Sequence, residues 1–198
     1  MNNTIRLALL ILLLAASPIA FGQSSELPVV LDRLIQNYGG EENLRKLNNM
    51  KQQWHMVAMI RNQTGTDIRH VRAPDLLRVE LTYPNKKETR ILTLTTAHVM
   101  FEGMAPQSVS GMQRDAMRLQ QMRLYSPLML KNKIESMNLV EEGDHLALSL
   151  VEEGLHVFYM VNKDTWRIEK VAGTLMMHGN EIKFLTIYSD FKIGRAHV

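Results

Sequence analysis

The sequence predicts an α+β domain in which antiparallel strands form most of the structure and a few helices pack on them. An apolar stripe at helical spacing lies near the start of the chain, apolar and polar residues alternate over 76–83, and the gaps between strand-like segments have the length of hairpin loops. The chain has 198 residues, of which 45% are apolar and 22% charged. This is enough for one domain with its own core.

Two helices are predicted before the strands. The first covers residues 30–38, where one face collects Val30, Leu31, Leu34, Ile35 and Tyr38. The pair Gly39–Gly40 predicts its end, because glycine readily adopts a positive φ. The pair Glu41–Glu42 suits the start of a second, short helix, whose buried face we expect to consist of Leu44 and Leu47.

A meander of strands is predicted from Lys51 onward. Residues 54–61 are apolar on both faces, which indicates a strand covered on both sides. Turn chemistry at 62–65 precedes a polar strand over 67–72, and the clearest strand follows at 76–83. After a turn at Pro84–Asn85, we expect strands over 88–96 and 98–101. Gaps of hairpin length favour antiparallel neighbours.

A helical pair is predicted to interrupt the meander and to lie over it. Ser110 and Gln113 have the spacing of a capping box, and Met112, Ala116, Leu119 and Met122 follow at helical intervals. Ser126–Pro127 starts a second helix. Strands resume near residue 134, with turns at 140–143 and 151–154 and later strands over 156–162, 166–177 and 181–191.

The first 22 residues resemble a secretory signal peptide. An early basic residue, an apolar run over 7–16, Pro18 and small residues before Gln23 fit cleavage after Gly22. The alternative is a membrane anchor, but the apolar run is shorter than the roughly 20 residues that a spanning helix needs. We therefore expect a secreted, periplasmic protein without a lipobox, in which residues 23–192 form a single domain.

The last six residues, Ile193–Val198, continue no pattern of the preceding strand. They match the translation of a common sequencing-adapter sequence. We therefore expect 193–198 to be a non-native tail and further C-terminal strands to be missing; the alternative is a natural frayed end.

The composition excludes several classes of function. With no cysteine, the chain has no disulfide, thiolate metal site or cysteine nucleophile. Its 23 basic and 20 acidic residues show no clustered positive surplus, so we expect no nucleic-acid partner. The sequence contains no G-x-S-x-G, H-E-x-x-H, P-loop or G-x-G-x-x-G motif. We expect no cofactor, no metal and no enzymatic activity.

Three weaker patterns could carry chemistry. The histidines at 55, 70, 98, 145 and 156 are scattered without metal-ligand spacing. The pairs Glu141–Glu142 and Glu152–Glu153 could be acid–base carboxylates, but neighbouring strand residues point to opposite faces, so solvated turns are favoured. The same alternation argues against copper(I) binding by residues 176–178.

Methionine is unusually frequent, with 14 residues spread over the predicted strands and the helical pair. Unbranched thioether side chains pack irregularly and adapt to varied ligand shapes, which suits an acyl chain. A loosely packed core without a ligand explains the same composition. Both interpretations stay open on the sequence alone.

Three segments resemble one protein family. They are Leu31–Leu47 with its Gly-Gly helix end, Arg72–Glu80 with a Pro-Asp-x-x-Arg strand start, and Phe158–Arg167 with an Asp-Thr turn. They are similar to the bacterial outer-membrane lipoprotein-sorting and carrier-like superfamily of LolA/LolB type, which includes the sigma-E regulator RseB. The resemblance covers about residues 27–192. It implies a half-open antiparallel β-barrel whose concave face is covered by helices.

In this family the hydrophobic cavity holds lipid or lipoprotein acyl chains, so the resemblance implies a periplasmic lipid-binding or lipoprotein carrier protein. The alternative is an RseB-like sensor or adaptor that binds a membrane-associated protein partner, and an unrecognised hydrolase is least favoured. The expected cavity-lining residues are Trp54, Met56, Leu77, Val79, Leu81, Met112, Met117, Leu119, Met122 and Met129.

Arg78 has two interpretations. It follows the Pro-Asp strand start and could hold a lipid headgroup through its guanidinium. Alternation instead places it opposite Leu77 and Val79, where it would form a cross-strand ion pair on the solvated face. We favour the second interpretation.

Overall fold

Two antiparallel meanders form the framework of the protein. The computed structural model describes residues 26–47, 49–58, 63–72, 75–177 and 179–188; the predicted signal peptide and the 193–198 tail lie outside these ranges. The helices are α1 (Leu27–Asn37), α2 (Glu41–Lys46), α3 (Met112–Met122) and α4 (Pro127–Lys131), with a 3₁₀ turn at Ile134–Ser136.

Each sheet is formed by consecutive strands. The N-terminal sheet contains β1 (Asn49–Ala58), β2 (Gln63–Arg72), β3 (Leu76–Tyr83), β4 (Lys86–Leu92), β5 (Ala97–Phe101) and β6 (Gln107–Ser108). The C-terminal sheet contains β7 (Met137–Glu142), β8 (His145–Glu152), β9 (Leu155–Asn162), β10 (Ile168–Met177) and β11 (Asn180–Ile187). Within the described ranges no strand of one sheet pairs with a strand of the other, so the two sheets do not close into a barrel. The fold is α+β.

Helix α3 lies between the two sheets and gives each of them part of its core. Met117, together with Leu124 just beyond the helix, packs among the apolar residues of the N-terminal sheet. Leu119 and Met122 pack in the larger core of the C-terminal sheet. Gly173 on β10 permits this approach, because a Cβ there would lie 2.6 Å from Leu119 Cδ1. The helix is therefore buried on two opposite faces.

The other helices cover the C-terminal sheet. Apolar residues of α1 and Leu130 of α4 join the same core as β7–β10. Ser126 begins α4 as predicted, because its Oγ accepts a hydrogen bond from the Met129 amide at 3.3 Å. The fully buried Tyr159 donates its hydroxyl hydrogen bond to the Met122 carbonyl at 2.6 Å. These contacts fix the turn between α3 and α4.

Several sequence predictions are confirmed. Gly39 and Gly40, after the first helix, have φ of +100° and +84°. Leu77, Val79 and Leu81 are buried on one face of β3, and residues 84–85 form its turn. The segments 140–143 and 151–154 lie at successive hairpin turns of the C-terminal meander.

Two strand predictions are wrong in their details. The strand expected over 88–96 ends at Leu92, because Thr93 and Thr96 close a turn in which the Thr96 amide donates to Thr93 Oγ1 at 3.0 Å. Leu94 is consequently exposed. Gly65 is part of β2 and not of a turn; a Cβ at this position would lie 2.6 Å from the Thr82 carbonyl oxygen, so glycine allows β3 to approach.

The helix predictions need three corrections. Gly111, not Ser110, is the N-cap of α3, and no side chain caps that helix. The helical pair does not simply cover the first meander, since α3 lies between the sheets. Leu47 is not buried: α2 ends at Lys46, and Leu47 is 62% exposed.

None of the helices in the described ranges is both long and apolar enough to cross a membrane.

Candidate ligand-binding cleft

A cleft opens between the two sheets beside α2 and α4, and it consists of two adjoining cavities. The smaller cavity has a volume of about 230 Å³ and lies between β1, β10, the α3–α4 turn and Tyr188. The larger cavity has a volume of about 400 Å³ and lies between α2, α4 and β1. They share the lining residues Leu44, Leu47, Met50, Leu124 and Ser126. We treat them as one cleft.

Most of the cleft surface is apolar. Leucines, methionines and Val171 contribute carbon surface, and Leu47 and Met50 are among the exposed large apolar residues of the protein. Concave apolar surface with a few polar groups is typical of small-molecule sites. Exposed apolar side chains at its border indicate an opening that an apolar ligand could reach.

The wall formed by α1 and α2 is held in place by long-range hydrogen bonds. The Ile168 amide donates to the Tyr38 hydroxyl at 3.1 Å. Asn37 Nδ2 donates to the carbonyls of Thr165 and Trp166 at 3.0 and 2.7 Å. Burial is the main cause that raises the pKa of Tyr38, so this hydroxyl stays neutral. The end of α1 is thereby tied to the β9–β10 turn.

A polar cluster extends from the cleft between the sheets. Asp67 and Arg69 on β2 form an ion pair with Nη2–Oδ2 at 2.7 Å, and the Asp67 side chain is only 2% exposed. The Arg69 guanidinium also lies over the Trp54 ring, 4.9 Å from its centroid. The hydrogen-bond pattern orients the Gln120 side-chain oxygen toward Arg69, from which it accepts at 3.2 Å. Asp67 and Arg69 thus largely satisfy each other.

Arg123 is the cation that lines the smaller cavity. Its Nη1 donates to Thr186 Oγ1 at 3.3 Å, and its guanidinium lies 5.3 Å from the Phe184 ring centroid. Its Nε is buried and has no hydrogen-bond partner in the described part of the chain. Burial, with the charge of Arg69 acting in the same direction, lowers the pKa of Arg123 to about 10. The Tyr188 hydroxyl donates to the Arg123 carbonyl at 3.1 Å, which holds β11 against this site.

A second polar cluster lies on another side of α3. The Glu152 carboxylate accepts from Arg118 Nη2 at 3.0 Å, from Lys133 Nζ and from the Tyr125 hydroxyl at 3.4 Å. Arg118 also donates to Gln121. The prediction of a solvated turn for the Glu152–Glu153 pair is therefore wrong for Glu152, whose side chain is only 19% exposed. A carboxylate surrounded by three donors is structural.

The structure distributes the ten predicted cavity residues unevenly. Met129 lines the larger cavity. Trp54 is half-buried beneath Arg69, and Met112 packs at the edge of the larger core. The side chain of Met56 lies outside the described part of the chain. The remaining six residues belong to the two packed cores: Leu77, Val79, Leu81, Met117, Leu119 and Met122. Ligand binding by these residues stays a prediction.

Arg78 lies on the outward face of β3. Its Nε contacts Glu80 Oε1 at 2.9 Å, and both side chains are substantially exposed. The favoured interpretation, an ion pair on the solvated face, agrees with this position. The partner differs from the expected one, because Glu80 lies two residues along the same strand and not across the sheet.

A serine–histidine pair was not evident in the sequence. Ser149 Oγ lies 2.6 Å from His156 Nε2, because the Ser149–Phe158 register of β8 and β9 brings the two side chains together. They lie on the face of the C-terminal sheet opposite its core, since their neighbours Leu148 and Val157 are core residues. Phe158 packs against the imidazole with ring centroids 4.1 Å apart.

Sequence reasoning missed most of the cleft. Leu47 and Met50 are isolated apolar residues after a short helix, and their convergence with Ile168 and Tyr188 depends on contacts between distant parts of the chain. Arg123 gave no signal, because it follows α3 as one of many basic residues. The chain matches no protein-family model, and it matches no curated protein significantly.

Proposed function

We propose that the protein is a periplasmic, LolA-like lipid- or lipoprotein-binding carrier that holds acyl chains in the cleft. The observation that carries this proposal is the apolar cleft between the sheets, open at Leu47 and Met50. Two unclosed antiparallel sheets with one helix, α3, between them are compatible with a half-open barrel. The resemblance of the Leu31–Leu47 segment to carrier proteins supports the same function.

The cleft suits a flexible apolar ligand better than a rigid polar one. Its two adjoining volumes share five lining residues, which are mainly leucine and methionine. Burying an alkyl chain there contributes about 0.8 kcal/mol for each methylene group removed from water. Methionine and leucine side chains adapt to different chain lengths at small cost. This chemistry requires no catalytic step, so we propose a binding protein.

The test compares two exposed leucines. Leu47, 62% exposed, lines both cavities, whereas Leu94, 59% exposed, lies in the turn after β4. Leu47→Gln is expected to weaken binding of a fluorescent acyl probe several-fold, because it places an amide on the apolar wall. Leu94→Gln is the matched control and leaves binding unchanged. Both variants keep the fold, since neither side chain is in a core.

Native mass spectrometry of the full chain provides a second readout. We expect acyl lipid to copurify with the protein and to be reduced in Leu47→Gln but not in Leu94→Gln. A chain that carries no lipid and binds no acyl probe would exclude the carrier function and favour a loosely packed core. Equal binding by both variants would place the ligand outside the cleft.

A further inference from the structure

Arg123 supplies the smaller cavity with a positive charge that no carboxylate contacts in the described part of the chain. Its guanidinium makes one hydrogen bond there, to the neutral Thr186 hydroxyl, and its Nε is buried without a partner. A buried charge without an ionic partner is costly unless something compensates it. Arg123, which lines the mostly apolar smaller cavity, therefore keeps hydrogen-bonding capacity that the described residues do not use.

Asp67 offsets this charge only weakly. Asp67 makes three close contacts with Arg69, between 2.7 and 3.1 Å, and its influence on Arg123 is weaker than that of the repulsive Arg69 charge. Gln120, which faces Arg69, and Thr186, which accepts from Arg123, are neutral. Two arginines and one aspartate leave one positive charge in excess.

The lining of the cleft indicates which kind of anion could neutralise the charge of Arg123. Arg123 lines the smaller cavity, whereas Met129 lines the larger cavity beyond the shared leucines. A guanidinium presents parallel N–H donors that match the two oxygens of a carboxylate. An acyl chain attached to that carboxylate would then extend along apolar surface toward Met129.

We propose that the cleft binds a free fatty acid, with its carboxylate on Arg123 in the smaller cavity and its chain directed toward Met129. This inference rests on the proposed function, because it uses the same cleft and adds the chemistry of the ligand headgroup. It also predicts that the protein binds a free fatty acid more tightly than the acyl chains of a lipoprotein. The acyl chains of a lipoprotein are linked as esters or amides and have no carboxylate, so a free fatty acid gains a contact that they cannot make.

The experiment compares two ligands that have the same chain and different heads. Dodecanoate and dodecanol each displace N-phenyl-naphthylamine, an uncharged apolar probe, from the delipidated full chain at neutral pH. We expect dodecanoate to bind about tenfold to a hundredfold more tightly, as a charge-assisted hydrogen bond implies. Arg123→Gln removes this preference and keeps dodecanol binding, which also shows that the variant is folded.

Two further variants sharpen the test. Arg123→Lys keeps the charge but not the two-pronged donor, so part of the preference for dodecanoate remains. Arg78→Gln removes an exposed arginine on the outward face of β3 and is the matched control, with both affinities unchanged. Equal binding of the two ligands by the unmodified protein, or an equal loss of both in Arg123→Gln, overturns the inference. If neither ligand displaces the probe, the inference and the proposed function both fail.

Discussion

Arg118 within α3 and Arg123 just after it have different surroundings. Arg118 donates to Glu152 and Gln121, and its side chain is 8% exposed. The guanidinium of Arg123, five residues later, has only the Thr186 hydroxyl within hydrogen-bond distance among the described residues. Among the described residues both leave Nε without a partner, and of the two only Arg118 contacts a carboxylate. This difference is the basis of the proposal that Arg118 stabilises the fold whereas Arg123 binds a ligand.

The largest expected loss of stability follows from removing the Glu152 carboxylate. Glu152→Gln leaves Arg118 and Lys133 without their carboxylate, and removing one partner of a buried ion pair destabilises a protein by about 3 kcal/mol. Denaturant unfolding measures the loss. Glu153→Gln is the control: this neighbour is more exposed and pairs with Arg114, so its removal costs at most about 1 kcal/mol. Equal losses of stability in the two variants would show that the Glu152 cluster has no special structural role.

The Ser149–His156 pair lies on the other face of the C-terminal sheet and leads to a second prediction about stability. Ser149→Ala loses one hydrogen bond and is expected to destabilise the protein by about 1 kcal/mol. Acyl-probe binding should not change, because the pair lies opposite the core that borders the cleft. A loss of ester hydrolysis in this variant, where the parent protein hydrolyses an activated ester, would instead favour the hydrolase alternative.

The paired carboxyl of Glu88 leads to a prediction about how stability depends on pH. Burial raises the pKa of its carboxyl, but contacts with Lys86 and Arg90 outweigh burial, so the net pKa is lowered. A lowered pKa stabilises the folded state above the unfolded-state pKa, and this contribution disappears as pH falls through the folded-state value. Unfolding free energies measured between neutral and acidic pH should therefore decline less in Glu88→Gln than in the parent protein. Parallel curves would contradict the pairing.

Arg123→Met is expected to have the smallest effect on stability. It removes a charge that has no ionic partner among the described residues and replaces it with an apolar side chain, so the ligand-free protein is expected to lose no stability. Denaturant unfolding of delipidated protein provides the measurement. A loss comparable to that of Glu152→Gln would show that Arg123 is structural, and the contrast between the two arginines would disappear.

The sequence predicted the local elements well because their patterns are local. The α1 stripe, the Gly39–Gly40 helix end and the alternation in β3 each depend on neighbouring residues. Helix α3 was only partly predicted: its periodicity marks one apolar face, whereas the structure buries Met117 against one sheet and Leu119 against the other. A helix between two sheets has no single solvent face for the pattern to reveal.

The cleft could not be predicted for a different reason. Residues with strong apolar patterns, such as Val79 and Met122, lie in the two packed cores. The cleft is lined instead where patterns end, at Leu47 beyond α2 and at Arg123 beyond α3. Which helix ends meet at the cleft depends on tertiary contacts, and sequence spacing does not specify these contacts.

Methyl NMR of the protein's methionines tests the position of the ligand most directly. Met50 and Met129 line the cleft, whereas Met117 and Met122 are buried in the cores beside it. Titration with dodecanoate should shift the methyl signals of Met50 and Met129 first and most strongly, and leave those of Met117 and Met122 nearly unchanged. Large shifts at Met117 and Met122 with none at Met50 and Met129 would contradict an acyl-binding cleft at this site.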